Sequence, residues 1–528
     1  MRQIFRLGIL VSAFILPPAA HSAMFVAPNG SDAQTGTSAD PFFTLNKAIT
    51  VAGAGDTIYM RGGTYAYTTT QALSKSGTAT DSIHIFAYPG EQPLLSWQTW
   101  VPASESVRGA ARGIYLTGNY YYLKGLDLSC APDNGMKLEG SHNRIEQCSF
   151  HHNGDTGLQV GLKSNAANDG SLVCCNLIIN CDSYRNVDPA TNYENADGFA
   201  CKLYPGVGNK FYGCRSWENC DDGWDLYEAQ YLIELDHCWT WGNGNPALWG
   251  FTSFNGDGNG FKLGGNGVAG GHLVKNCVSF DNQQTYSRGF HQNNNSAGIT
   301  LYNCTAWGNT VNFGLNDNVT TTPHILKNNI GCNFYPNPQQ SGASNAKLIA
   351  GSVDTCNSWD AVYGGQISTS DFISIAEADA AAPREADGSL PNNGFAKLKP
   401  ASLAIDRGVD VGLEYSGVKP DLGAYEYSPP TSVSVHRSGI PTEPVLCRNY
   451  PNPFNPSTRI VYRVASTARV VVTVCDLLGR VQATLVNENK SPGVYEAVWN
   501  GSGAPSGVYF CVLRTGGAAV VTKMILSK

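Results

Sequence analysis

The stretch Cys214-Arg-Ser-Trp-Glu-Asn219-Cys220-Asp221-Asp222-Gly223-Trp-Asp225-Leu226 holds one turn of a repeat that runs through the middle of the chain. A cysteine in a short β-type run is followed five residues later by an asparagine. The same pair recurs at Cys148/Asn153, Cys181/Asn186, Cys238/Asn243, Cys277/Asn282 and Cys304/Asn309. Uneven intervals between the cysteines suit a solenoid whose coils carry loops of different length at one corner. A second column interleaves with the first. Gly223-Trp-Asp-Leu has counterparts in Gly135-Met-Lys-Leu, Gly157-Leu-Gln-Val, Gly198-Phe-Ala-Cys, Gly260-Phe-Lys-Leu, Gly289-Phe-His-Gln and Gly314-Leu-Asn-Asp. Apolar residues alternate with period two in most of these, which is a strand pattern; a helical solenoid would need apolar spacings of three and four, and none is present. Strands one coil apart in sequence stack in parallel at about 4.8 Å, so the expected fold is all-β, a parallel β-helix with a cysteine stack inside and an asparagine ladder at its turns. The coil cysteines then act as small buried hydrophobes rather than disulfide partners.

Outward from the repeat, both ends carry different wording. Phe25-Val-Ala-Pro-Asn-Gly-Ser-Asp, Gly55-Asp-Thr-Ile-Tyr and Gly62-Gly-Thr-Tyr supply first strands and turns, and the helical pattern from Phe43 to Ala52 suits a cap over the open end. Pro420-Asp-Leu-Gly-Ala-Tyr-Glu closes a repeat domain expected over residues 24–427. A Pro/Ser/Thr-rich linker is expected at 428–445. Strand-like runs at Arg459–Val464, Val470–Val474, Tyr495–Trp499, Val508–Leu513 and Val520–Leu526 then predict a small β-sandwich over 446–528. At the other extreme, Arg2 and Arg6 flank the start of an apolar run from Leu7 to Leu16. Ala20, Ser22 and Ala23 follow, so residues 1–23 read as a signal peptide, and the run is too short to span a bilayer. The protein is expected to be secreted or held at the cell surface, as a monomer.

Composition narrows the function classes. Hydrophobic residues make up 42% of the 528 and charged ones 15%, with 58 Gly and 27 Pro, which excludes a disordered chain and a long coiled coil. A net charge of -7 with no basic run argues against a nucleic-acid partner.

Chemistry is expected where charged residues interrupt the repeat. Asn195-Ala-Asp197-Gly-Phe and Asp221-Asp222-Gly-Trp-Asp225 place four carboxylates on neighbouring coils, with Asp197 and Asp222 each directly before a column glycine. Carboxylates so close repel unless a cation neutralises them, and hard oxygen donors without His or Cys suit Ca²⁺; a solvated acidic turn is the alternative. Lys262 takes the glycine-plus-two position held one coil earlier by Asp225, so it should project from the same face. Lys137 holds the same column position upstream. Arg288, one coil beyond Lys262, is a candidate for holding a second acidic sugar.

These phrases together carry a resemblance. Val26-Ala-Pro-Asn-Gly-Ser-Asp with Gly55-Asp-Thr-Ile-Tyr, the two Asp motifs, Gly260-Phe-Lys262-Leu-Gly-Gly and the closing Asp-Leu-Gly-Ala-Tyr-Glu resemble polysaccharide lyase family 9, over about residues 24–427. The resemblance implies a right-handed parallel β-helix, calcium ligation by Asp197, Asp221, Asp222 and Asp225, and Lys262 as the base in β-elimination of a pectic, galacturonate-containing polymer. Rhamnogalacturonan lyases belong to the same family and stay open. So do two readings from other classes, an inverting β-helix glycoside hydrolase and a non-catalytic surface protein. Asn449-Tyr-Pro-Asn-Pro-Phe-Asn-Pro, Asp476-Leu-Leu-Gly-Arg, Gly493-Val-Tyr, Ser506-Gly-Val-Tyr and Lys523-Met-Ile-Leu resemble the C-terminal sorting domain of the type IX secretion system, which implies export from a Gram-negative cell by that machinery. A carbohydrate-binding module with Trp499 as its platform is the alternative there.

Overall fold

The computed structural model describes residues 21–162, 169–318, 320–332, 344–363, 365–428, 445–450, 452, 454–464, 467–477, 479–491, 493–515 and 518–527. The expected signal peptide (apart from residues 21–23) and nearly all of the expected linker lie outside them. Three parallel sheets stack along one axis. A twelve-stranded sheet runs from Ala23–Val26 to Val353–Thr355; a ten-stranded sheet from Gln71–Leu73 to Ser344–Leu348 forms the second face; and a third, also of ten strands, runs from Gly63–Ala66 to Ile330–Cys332. Every described pairing in these sheets is parallel and joins strands one coil apart, as in Leu158–Val160 beside Phe199–Cys201. The three sheets thus form a parallel β-helix.

The repeat residues do what their spacing implied. Asn153 donates from Nδ2 to Asn186 Oδ1 at 2.9 Å, and the same bond joins Asn186 to Asn219, Asn219 to Asn243, Asn243 to Asn282 and Asn282 to Asn309 at 2.8–3.1 Å. All six asparagines are fully buried, so each amide bond satisfies a polar group that would otherwise cost stability. Cys148, Cys181, Cys214, Cys238, Cys277 and Cys304 are buried free thiols between the first and third sheets. The glycine column precedes the second-sheet strands because neighbouring coils touch there; a Cβ on Gly198 would collide with Ser216 Oγ and crowd the Gly223 carbonyl.

One member of that column is out of place. Gly314 pairs with His291, and it is Phe313 that aligns with Phe290, so Asn312 takes the column position. Asn312 can do so because its side chain joins the ladder, accepting from Asn309 Nδ2 at 3.0 Å.

Thr44 caps a helix, Leu45–Val51, whose Leu45, Ala48 and Ile49 close the first end of the core. The stretch after the last coil was not legible as structure. Among the described residues, those from 365 to 427 pack along the outside of the third sheet, where Phe372, Phe395, Leu398 and Leu422 cover Trp239, Trp241, Phe280 and Trp307. Arg384 and Arg215 clasp Asp182 there, at 2.6 and 2.7 Å.

The terminal unit is antiparallel. Val445–Tyr450, Ser457–Val464 and Gly493–Asn500 form one sheet; Val481–Lys490, Ala468–Cys475, Gly507–Thr515 and Ala518–Leu526 form the other. All five expected runs are strands, and Val445–Tyr450 and Val481–Lys490 are additional. Trp499 is 5% exposed inside the shared core, which removes the aromatic platform that a carbohydrate-binding reading required.

Candidate active site

The second sheet alternates inward core residues with outward polar ones. Trp224 and Leu226 on one coil, and Phe261 and Leu263 on the next, are fully buried in the core. This fixes the intervening Asp225 and Lys262 on the outer face, where they are direct register partners. Asp197 and Asp222 occupy one row at the sheet's edge. Gly157 N donates to the Asp197 carbonyl at 3.0 Å and Gly198 N to the Asp222 carbonyl at 2.9 Å, one coil further on.

Asp197, Asp221 and Asp222 each bring a carboxylate oxygen within 4.8 Å of the others, and all three are buried. Each is held by a different partner. Asp222 Oδ1 accepts from the Asn259 backbone N–H at 2.7 Å and from its Nδ2 at 2.9 Å. Asp221 Oδ1 accepts from Asp257 N at 2.6 Å. Asp197 Oδ2 accepts from Thr156 Oγ1 at 3.1 Å. Burial drives all three carboxyls upward, Asp221 well above the ordinary range and Asp197 to about 8, with repulsion from neighbouring carboxylates, Asp225 and Asp257 among them, adding to it. Asp225 goes the other way, because Lys202 and Lys262 outweigh its burial.

Lys262 lies against this cluster. Its Nζ is 3.1 Å from Asp222 Oδ2, 3.7 Å from Asp257 Oδ2 and 4.0 Å from Asp225 Oδ1. Burial alone would favour the neutral amine, but Asp222, Asp225, Asp221 and Asp197 together hold the ammonium well above its usual range.

A second lysine was missed in the sequence. Lys202 Nζ donates to Asp197 Oδ2 at 2.7 Å and to Asp225 Oδ2 at 3.0 Å, bridging the two coils. Its signal was parity: Ala200 faces outward on the Phe199–Cys201 strand, so two residues on Lys202 does too, and Ala200 leaves room beside Asp225.

Arg288 stands in the row of Asp197 and Asp222, next to Asn259, whose Oδ1 accepts from its backbone N–H at 3.0 Å. Its guanidinium turns the other way. Nη1 pairs with Asp317 Oδ2 at 2.9 Å and touches His291, which shares that same oxygen at 2.6 Å. Arg288 therefore sits beside the cluster with its charge already matched.

The donor set suits a hard divalent cation. It offers carboxylate oxygens and no His or Cys, and Asp222 Oδ2 is a buried oxygen with no hydrogen bond, in ion-pair contact with Lys262 alone.

Comparisons with known proteins follow this geometry. The profile of the Pel9A-like right-handed β-helix region matches residues 24–329, and that of the secretion system C-terminal sorting domain matches 448–527. Pectate lyase L of Dickeya chrysanthemi is 37% identical over 410 residues, covering 76% of this chain and 90% of that protein. Pectate lyase L of Paenibacillus polymyxa is 36% identical, covering 74% and 84%. Among solved structures, pectate lyase Pel9A superposes with a TM-score of 0.67 at 34% identity, over 78% of this chain and 97% of that one. A rhamnogalacturonan lyase gives 0.60 at 27%, over 72% and 97%. Fold and likeness define a parallel β-helix polysaccharide lyase. Within that class the chain belongs to the pectate lyase-like polysaccharide lyase family 9, and it carries a type IX sorting domain at its C-terminal end.

Proposed function

We propose that the protein is a calcium-dependent pectate lyase that cleaves galacturonate chains by β-elimination, with Lys262 as the base. The observation that supports this reading best is the contact between the Lys262 amine and two carboxylates of the preceding coil, Asp222 and Asp225, on the outer face of the second sheet. Asp197, Asp221, Asp222 and Asp225 would hold the calcium, which when bound neutralises the sugar carboxylate and acidifies the adjacent C5 proton. Lys262 takes that proton. The C5–H electrons form the C4–C5 double bond, the C4–O bond breaks, and the departing oxygen is protonated by solvent. To act as a base, Lys262 must be neutral, so the negative charge around it has to be compensated or the medium alkaline. Lys202 ties Asp197 to Asp225 and keeps both oriented. An inverting hydrolase would instead need two carboxyls flanking the bond with one protonated and no amine between them.

Ultraviolet absorbance of the 4,5-unsaturated product, followed on polygalacturonate with calcium and with a chelator, tests the proposal. Product in calcium and none in chelator is expected. Reducing sugar without that absorbance would mean hydrolysis. The likeness to a rhamnogalacturonan lyase supports a second reading, distinguished by running the same assay on a rhamnogalacturonan backbone. For localisation, the sorting domain supports passage through type IX machinery to the outside of a Gram-negative cell, with residues 1–23 as the signal peptide.

A further inference from the structure

The outward column that carries Asp225 and Lys262 continues upstream through Ala200 and Gln159 to Lys137, each the direct register partner of the next. At about 4.8 Å per coil, Lys137 lies roughly 19 Å from Lys262 on the same face. Lys137 is 4% exposed and Gln159 6%. Among the described residues neither side chain has a hydrogen-bond or ion-pair partner, which is unusual for polar groups so deeply set.

The charged groups that act on Lys137 include Glu139, Arg112, Lys202 and Asp155, and Asp133 feels its charge in turn. Three are engaged elsewhere. Glu139 accepts from Tyr115 Oη at 2.6 Å, Arg112 lies 3.4 Å from Asp133, and Lys202 bridges Asp197 and Asp225. Burial lowers the Lys137 ammonium to about 8, outweighing the more distant pull of Glu139 and Asp155. An ammonium so deeply set without a hydrogen-bond or ion-pair partner, next to an uncommitted amide, costs stability. It is matched when an anion with hydroxyl neighbours lies in the groove.

The geometry points to Lys137 and Gln159 as a distal binding site for the substrate chain, Lys137 holding the carboxylate of a uronate several sugars from the bond that is cut and Gln159 bonding a hydroxyl of the same or the next sugar. This rests on the proposed reading of the protein as a uronate-polymer lyase.

The test is the length dependence of cleavage by Lys137→Met and Gln159→Leu. On polygalacturonate and long oligogalacturonates, Lys137→Met should raise KM roughly ten-fold, the scale of one charge-assisted hydrogen bond, with kcat unchanged. On a trimer, which covers the scissile bond without reaching Lys137, both constants should match wild type. The melting temperature of Lys137→Met should be equal or higher, because an uncompensated charge has gone. Equal losses on trimer and polymer, no loss on either, or a lowered melting temperature that accounts for the loss would overturn the distal site. Failure of the parent reading looks different: wild type itself would then yield no unsaturated product from polygalacturonate.

Discussion

Lys262 and Lys202 are both nearly buried ammonium groups among the same aspartates, yet their contacts differ. Lys202 is committed to two carboxylates at hydrogen-bond distance, while Lys262 meets Asp222 in an ion pair without hydrogen-bond geometry and so stays free to turn toward a substrate. Lys262→Ala should therefore abolish turnover by about 10²–10⁴ while the melting temperature and calcium affinity hold, checked by product absorbance and calorimetric titration. A loss of only a few-fold would assign it to binding. Asp222→Asn should behave otherwise. It removes one charge from the set but keeps an oxygen able to accept from Asn259, so more calcium should be needed for half-maximal rate, and excess calcium should restore part of it. Full activity in chelator would refute a calcium role. The four aspartates and Lys262 were legible because they break a repeat at fixed offsets from its glycines. Lys202 was not, since it lies beyond the end of the repeated phrase and only strand parity places it. The engagement of Arg288 was hidden for another reason: Asp317 is 29 residues away in sequence, and only the coil stacking brings them together.

At the scale of elements, the asparagine ladder and cysteine stack could be read in advance because each coil repeats them at a constant offset. The segment over the third sheet could not, because it packs against the outside of the solenoid and so follows no coil period. A clue lay in the outward aromatics. Trp217, Trp241, Phe280 and Trp307 stack coil on coil with centroids 4.8–5.4 Å apart, and such a stripe on a strand's outer face needs a cover. The closing phrase Asp421-Leu-Gly-Ala-Tyr-Glu426 is part of that cover and holds two carboxyls together. Glu426 accepts from the backbone N–H of Asp421 at 3.1 Å, and Asp421 accepts from that of Tyr427 at 2.6 Å. Burial raises Asp421 to about 6 and Glu426 to about 8, with Asp421 adding to the latter. A carboxyl raised on folding binds its proton more tightly in the folded state, so the stability it contributes is complete below the unfolded value and is lost as pH rises through the folded one. Stability should fall between about pH 4 and pH 8 from this pair. Glu426→Gln keeps an acceptor for the Asp421 and Ser416 backbone N–H groups but cannot ionise. Its melting temperature should match wild type near pH 4 and exceed it at pH 9, as followed by circular dichroism; parallel curves across that range would rule the pair out as the source.

At the scale of the whole molecule, catalysis and export occupy different stretches of chain, and each has its own core. The β-helix core draws on residues from Met24 to Trp359, the third-sheet cover adds residues up to Tyr427, and the core of the terminal unit runs from Phe454 to Leu526. Every residue assigned to the proposed chemistry lies between Asp197 and Lys262, and the distal site adds only Lys137 and Gln159. Residues 428–445 have the composition of a linker, which gives no reason for the two units to depend on each other. We therefore expect a chain ending before Val445 to fold with an unchanged β-helix melting transition and to retain full lyase activity on soluble pectate. In the natural host the same deletion should leave active enzyme inside the cell, because the sorting domain that addresses it outward is gone. Activity assays on the culture fluid and on lysed cells measure the two halves of this prediction separately. Enzyme found outside without residues 445–528 would remove the sorting role, and a truncated protein that is folded but inactive on soluble pectate would make the terminal unit part of the cleft.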